Sequence, residues 1–176
     1  MVLNIGTINI NGFRSKRKQL YIKDILTKEN IDILFIQETF VENFFLSKRI
    51  EQFININRLF IWNYGANNSR GTLIIVNNKD INVDNYHCDH NGRIIYADIH
   101  YSENNYRVIN TYFPNDSNER NNFIHDLNRY LVTSRHVILG GDFNFVMNIS
   151  LDKIGGNQDK GNIGSKHFQN VIISSI

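Results

Sequence analysis

The sequence predicts an α/β (α+β) fold, a mixed sheet system flanked by helices, and three observations carry that expectation. The first 40 residues alternate an apolar run, an amphipathic stretch and a second apolar run. From Leu59 to Tyr112 the texture changes to short β-branched or aromatic runs separated by turn formers. After Pro114 an amphipathic stretch and one more buried-type run return. Helical and strand periods thus alternate along the chain, and layered sheets and helices are what such alternation builds.

In order, "VLNIGTINI" is rich in isoleucine and reads as a strand, which "NGF" then breaks. "KRKQLYIKDILTKEN" sets Leu20, Ile22, Ile25 and Leu26 near helical spacing and stops at Glu29-Asn30. "IDILFIQE" is almost wholly apolar, as expected of a strand buried on both faces. Residues 41 to 56 repeat the helical pattern, with Phe45, Ile50, Phe53 and Ile54 as candidate core contacts. "LFIWNY", "GTLIIV", "INVDNY", "RIIYADIHY" and "YRVINTYF" then read as a meander of hairpins. Pro114, which lacks an N–H, ends the meander. "SNERNNFIHDLNRYL" follows as a helix capped by Ser117 or Asn118, with Phe123, Ile124, Leu127 and Leu131 on its buried side. "HVILGGDF" is another strand, and beyond Asn148 the chain is polar until a helical hint at "SKHFQNVII".

At 176 residues, 41% apolar and 20% charged, the chain has the size and composition of one globular domain spanning residues 1–176. A net charge of +2 allows a polyanionic partner without demanding one. The densest basic run, "RSKRKQ" from Arg14 to Gln19, suits either the solvated first turn of a helix or a phosphate-contacting patch. The single cysteine, Cys88, can neither pair within the chain nor join a cysteine-based zinc cluster, so an intracellular setting is expected. There is no membrane-length apolar run and no signal-peptide layout, so neither a membrane location nor secretion is expected. Asparagine and isoleucine are over-used, as an AT-rich coding sequence produces, so an isolated Asn carries little weight.

Four strands end in polar residues: Asn9 and Asn11; Gln37, Glu38 and Thr39; Asn110, Tyr112 and Asn115; Asp142 and Asn144. In open α/β sheets ligands gather beyond strand ends, where residues distant in sequence can meet. Carboxylates and amides offer hard oxygen donors suited to Mg²⁺ or Mn²⁺, and amide N–H and phenol O–H groups suit phosphate oxygens. This inventory points to metal-assisted phosphodiester hydrolysis. Blander roles exist for each residue: Glu38 as a carboxylate at a helix N-terminus, Tyr112 as a core aromatic, Asp142 and Asn144 as turn residues. The histidines at 87, 90, 100, 125, 136 and 167 show no ligand spacing.

"TININGFR", "IQET", "RGTLIIV", "NTYFPND" and "GGDFN", in that order, resemble the endonuclease/exonuclease/phosphatase superfamily, which includes exonuclease III, the apurinic/apyrimidinic endonucleases and DNase I. "GGDFNFVMNISLDKIGG" is most similar to the endonuclease domain of non-LTR (LINE-type) retrotransposon polyproteins. The resemblance spans about residues 3 to 156. It implies a four-layer α/β-β/α sandwich of two mixed sheets, Mg²⁺ (or Mn²⁺) as cofactor, DNA as partner and a downstream reverse-transcriptase domain in a full-length polyprotein. A nuclear place of action follows from the same reading.

By the same resemblance Glu38 is the principal metal ligand, with Asn9 supporting the metal site. Tyr112 and Asn115 contact phosphate, Asp142 orients or deprotonates the attacking water, and Asn144 hydrogen-bonds the phosphate oxygen. Asn11 and Arg14 lie on the DNA-binding side, and Asp152 takes the place of a family "LDR" aspartate. The family's C-terminal "SDH" motif has no match here, so the expectation is a domain lacking its C-terminal portion, with little or no nuclease activity from these residues alone. An exonuclease III-like repair endonuclease and a non-catalytic nucleic-acid- or metal-binding remnant are the rival readings.

Overall fold

The computed structural model describes residues 2–66, 69–145 and 168–169. The chain divides into two compact units, Met1–Tyr112 with Arg135–Asp142, and Phe113–Ser134 with Phe143–Ile176.

The first unit contains ten of the described elements in chain order: β1 (Ile5–Asn9), α1 (Lys16–Lys28), β2 (Ile33–Gln37), α2 (Phe44–Ile54), β3 (Leu59–Asn63), β4 (Thr72–Val76), β5 (Asn82–Cys88), β6 (Ile94–Tyr101), β7 (Asn104–Tyr112) and, after the intervening helix α3 (Ser117–Leu131) of the second unit, β8 (His136–Asp142). They form two four-stranded sheets, ordered β1-β2-β4-β3 and β5-β6-β7-β8. Each is mixed: β1 runs parallel to β2 and β7 parallel to β8, and the other pairs are antiparallel. Two mixed sheets are what the resemblance implied, and the hairpin strands are shared between them, β3 and β4 closing the first sheet while β5, β6 and β7 open the second.

Alternation along β2 shows how the layers stack. Leu34 and Ile36 pack with Ile22 and Leu26 of α1 and Ile50 and Ile54 of α2. Ile33 and Phe35 point the other way, into a core shared with Ile74 of β4, Ile95 and Ala97 of β6 and Val108 of β7. With period-two side chains a continuous apolar run is what a strand between two apolar layers requires. Helices, sheet and sheet are thus the layers of this unit.

The helices bury narrower stripes than their composition suggests. In α1 Ile22 and Leu26 are buried but Leu20 is 51% exposed, and Gln19 takes the inward position by donating from Nε2 to the Phe13 carbonyl at 2.9 Å. In α2 the inward face is Ser47, Ile50 and Ile54, while Phe45 is 79% exposed. Spacings of three and four residues keep those three on one side, and Phe45 falls on the other.

A buried polar bridge crosses the gap between the sheets. Asn110 of β7, fully buried, donates from Nδ2 to the carbonyls of Ile36 at 3.0 Å and Leu73 at 2.9 Å. Its Oδ1 accepts from Gln37 Nε2 at 2.7 Å, and Gln37 reaches Thr7 Oγ1 at 3.1 Å. Asn110 and Gln37, expected to be delivered at the strand ends with Glu38 and Tyr112, thus sit inside the sandwich one or two residues short of those ends.

In the second unit, the N-cap of α3 is Asp116, whose Oδ1 accepts from the backbone N–H groups of Asn118 and Glu119 at 2.9 and 3.0 Å, in place of the expected Ser117 or Asn118. Phe113 packs against Phe123, Phe143, Phe145 and Phe168 there. The expected terminal helix is described only at Phe168 and Gln169, and Asp152 and His167 lie outside the described residues. Among the described residues no helix is long and apolar enough to cross a membrane.

Replacing Asn110 by Ala removes three buried hydrogen bonds, those with the Ile36 and Leu73 carbonyls and with the Gln37 amide. The expected destabilisation is about 2–4 kcal/mol. It is read as a drop of about 1–2 M in the urea midpoint at an m-value of about 2 kcal/mol/M. Asn82→Ala, at an exposed strand position, should stay within about 0.5 kcal/mol of the parent.

Candidate active site at the strand ends

β1, β2, β7 and β8 all finish at one edge of the first unit, and their last residues meet. Asn9 Nδ2 donates to Glu38 Oε1 and to Asp142 Oδ2, each at 2.8 Å. Two carboxylate acceptors orient the amide with its NH₂ group between them. Asn9 Oδ1 in turn accepts from the Asn11 backbone N–H at 3.1 Å, which holds the carboxamide in an Asx turn. The Tyr112 phenol lies within electrostatic reach of the Glu38 carboxylate. Burial, then Glu38, and to a smaller degree Asp142 raise the Tyr112 phenol above its ordinary value of 10.0, so it is a proton donor at neutral pH.

The backbone is bent to achieve this. Glu38 and Asn11 adopt left-handed conformations, with φ of 53° and 47°. For Glu38 that conformation costs on the order of 1–3 kcal/mol, and such strain persists where neighbouring contacts over-determine it. Here Gly12 N–H donates to the Glu38 carbonyl at 2.7 Å, Thr39 N–H to Gly71 O at 3.0 Å, and Phe40 N–H to Arg70 O at 3.0 Å. The kink lifts the carboxylate out of the sheet toward Asn9.

At the other carboxylate, Gly141 has φ of 135°, and a Cβ there would lie 1.9 Å from the Thr111 carbonyl. A Cβ at Gly140 would crowd the Phe35 ring at 3.1 Å. The glycine pair lets β8 close on β7 and on β2, which brings Asp142 level with Tyr112 in the parallel register.

As a donor set this is two half-buried carboxylates, an exposed amide and a phenol. Among the described residues no group of three or more His, Cys, Asp or Glu side chains could enclose a metal ion. A closed zinc site needs four N or S ligands, whereas Mg²⁺ is held by one or two carboxylates and completes its shell with water and phosphate. The residues present fit the second kind of ion.

Residues 6–151 match the model of the Endonuclease/Exonuclease/phosphatase family. The chain belongs to that family. It is 26% identical over 154 residues, 84% of its length, to the Transposon TX1 uncharacterized 149 kDa protein of Xenopus laevis, of which it spans only 11%. Among solved structures it is similar to an AP endonuclease from Archaeoglobus fulgidus, with a TM-score of 0.72 and 22% identity over 98% of this chain and 71% of that one. A Neisseria 3′ phosphatase, NExo, solved with product DNA hairpin, gives a TM-score of 0.72 and 19% identity over 98% of this chain and 71% of that one.

Of the family-type residues expected from sequence, Asn9, Glu38, Tyr112 and Asp142 are in mutual reach, and Asn11 joins them through its backbone. Arg14 is turned to Glu42, at 2.9 Å, and to the Phe40 carbonyl at 3.1 Å. Asn115 and Asn144 belong to the second unit, where Arg120 Nη2 donates to the Asn115 carbonyl at 2.9 Å and Asn144 Nδ2 donates to the Phe113 carbonyl at 2.8 Å. Sequence reasoning missed Arg93, whose guanidinium lies 5.0 Å from the Tyr112 ring centroid. The usable signal was the hairpin itself, since pairing Ile94 with Thr111 sets residue 93 opposite residue 112.

Cys88 plays no part in this site. Burial, and then the Asp89 charge, push its thiol up from 9.0 to about 11. A folded state that keeps a proton the unfolded chain releases loses stability as pH rises from 9 toward 11. At pH 8 iodoacetamide should alkylate Cys88 about 100-fold more slowly in the folded protein than in urea, and equal rates would show an accessible thiolate.

Proposed function

We propose that this chain is the Mg²⁺-dependent DNA-nicking endonuclease domain of a retrotransposon-like protein, cutting one strand to leave a 3′-hydroxyl primer. The observation that carries the reading is the pairing of Glu38 and Asp142 across a single Asn9 amide, with the Tyr112 phenol within electrostatic reach of Glu38. The transposon protein among its relatives favours an element over a repair enzyme. Likeness to the AP endonuclease is one of fold.

Glu38 is the residue to hold the metal, with Mn²⁺ as an alternative ion and Asn9 as its support. When bound, the metal supplies positive charge at the phosphate and the leaving oxygen. Asp142 accepts the proton of the attacking water. The water oxygen bonds to phosphorus, the P–O3′ bond breaks, and the leaving 3′-oxygen takes a proton from solvent, giving a 5′-phosphate and a 3′-hydroxyl. Tyr112 donates from its neutral phenol toward a phosphate oxygen as charge grows there. Asn9 keeps the two carboxylates apart and aimed, so that one can bind a cation while the other takes a proton. Asn115 and Asn144 are assigned to phosphate oxygens, and Asn11 and Arg14 to the flanking DNA backbone, on the family pattern alone. Work on chromosomal DNA implies a nuclear site of action, and a 3′-hydroxyl primer implies a reverse-transcriptase partner.

The test is conversion of supercoiled plasmid to open circle by protein carrying this chain, with Mg²⁺ and with EDTA. Expected are Mg²⁺-dependent nicks that a polymerase can extend, slowed about 10²–10³-fold by Glu38→Gln and about 10²–10⁴-fold by Asp142→Asn. Nicking that survives Glu38→Gln would overturn the reading. Salt-sensitive DNA binding with no nicking would instead identify a binding remnant.

A further inference from the structure

We infer that Arg93 is a positioning residue for this reaction, clamping Tyr112 so that its phenol is held in one place at the strand-end site. The inference rests on the proposed phosphodiester cleavage and adds a residue outside the strand-end motifs.

Arg93 and Tyr112 grip each other three ways. Tyr112 N–H donates to the Arg93 carbonyl at 2.8 Å, Arg93 Nη1 donates to the Tyr112 carbonyl at 3.0 Å, and the guanidinium lies 5.0 Å from the ring centroid. A tyrosine at the end of a strand can swing about two side-chain torsions. The guanidinium plane against one face and the carbonyl hydrogen bond behind it remove that freedom, a use of arginine's planar fork that a lysine cannot reproduce.

The turn that presents Arg93 is itself held. Asp89 Oδ1 accepts from the backbone N–H groups of Arg93 and Ile94 at 2.8 and 2.9 Å, and from Asn63 Nδ2 at 2.7 Å. Asn63 also donates to the Ile94 carbonyl at 3.0 Å. Gly92, at φ of 68°, leaves no room for a Cβ, which would lie 2.6 Å from the Tyr64 carbonyl, and its own carbonyl accepts from Gly71 N–H at 3.0 Å. Such a frame exceeds what a connecting turn needs. It fixes the guanidinium relative to β4, whose preceding loop also carries the acceptors that bend the chain at Glu38. The Arg93 clamp and the Glu38 kink therefore share one support, and phenol and carboxylate are held in one frame.

The experiment combines turnover with a probe that does not need it. In Mg²⁺-dependent plasmid nicking, Arg93→Ala should lower kcat by about 10–100-fold with KM little changed, as misplacement of a reacting group does. In a Tyr112→Phe background the same change should have no further effect. Arg93→Lys should recover only a minor part of the loss. Separately, in metal-free protein labelled with 3-fluorotyrosine, the ¹⁹F resonance absent from Tyr112→Phe should shift and broaden in Arg93→Ala, and stay in place in Glu103→Ala at a distant turn. A rise in KM alone, a full loss repeated in the Tyr112→Phe background, full rescue by lysine, or an unmoved Tyr112 resonance would each overturn the inference. If wild-type protein does not nick while the resonance moves, the clamp stands and the proposed function fails.

Discussion

The buried amide bridge between the two sheets is the constraint on which the rest depends. Hydrophobic packing of Ile33, Phe35, Ile74, Ile95 and Val108 drives the sheets together, but apolar contact is tolerant of sliding. The three hydrogen bonds of Asn110, donated to the Ile36 and Leu73 carbonyls and accepted from Gln37, are not. In a dry interior a slip of one residue would break all three, with no water to replace them. The bridge therefore selects one relative register for β2, β4 and β7. Two residues beyond it, Glu38 and Tyr112 emerge side by side.

From that register the site follows by short steps. The first sheet supplies Asn9 and Glu38, and the second supplies Tyr112 and Asp142, so the proposed site lies across the open edge of the sandwich. Neither sheet alone brings both carboxylates to one place. Gly140 and Gly141 let β8 approach closely enough for Asp142 to meet Asn9. The strained Glu38 backbone is tolerated because three backbone hydrogen bonds hold the loops around it. Stability in the core is thereby converted into precise placement at the rim, the arrangement that positioned acid, base and metal chemistry requires.

Much of this was legible in the sequence. Six of the eight described strands and the three helices fall within the segments that periodicity marked, while β5 runs on to Cys88 and β7 starts at Asn104, two residues beyond their segments, and the strand-end polar residues pointed to the edge where Asn9, Glu38, Tyr112 and Asp142 meet. What periodicity could not supply was partnership. Phe45 and Phe53 look like core residues by type, and only the position of the sheet decides that Ser47 and Ile50 face inward. A run of hairpins does not say where one sheet stops, so the break between β4 and β5 was invisible. Asn110 and Gln37 looked like strand-end ligands because a buried asparagine and an exposed one are the same letter. Arg93 was hidden in a turn of Asp, His, Asn and Gly, where turn chemistry is the ready explanation.

The most direct test of the account is whether the bridge governs the site at a distance. Mn²⁺ binding by Asn110→Ala should be measured by electron paramagnetic resonance, below the temperature at which the variant unfolds. Asn110 touches neither Glu38 nor Asp142, yet the predicted result is a loss of about 10-fold or more in affinity, the scale seen when an outer supporting group of a metal site is removed. Unchanged Mn²⁺ affinity in folded Asn110→Ala would contradict the account.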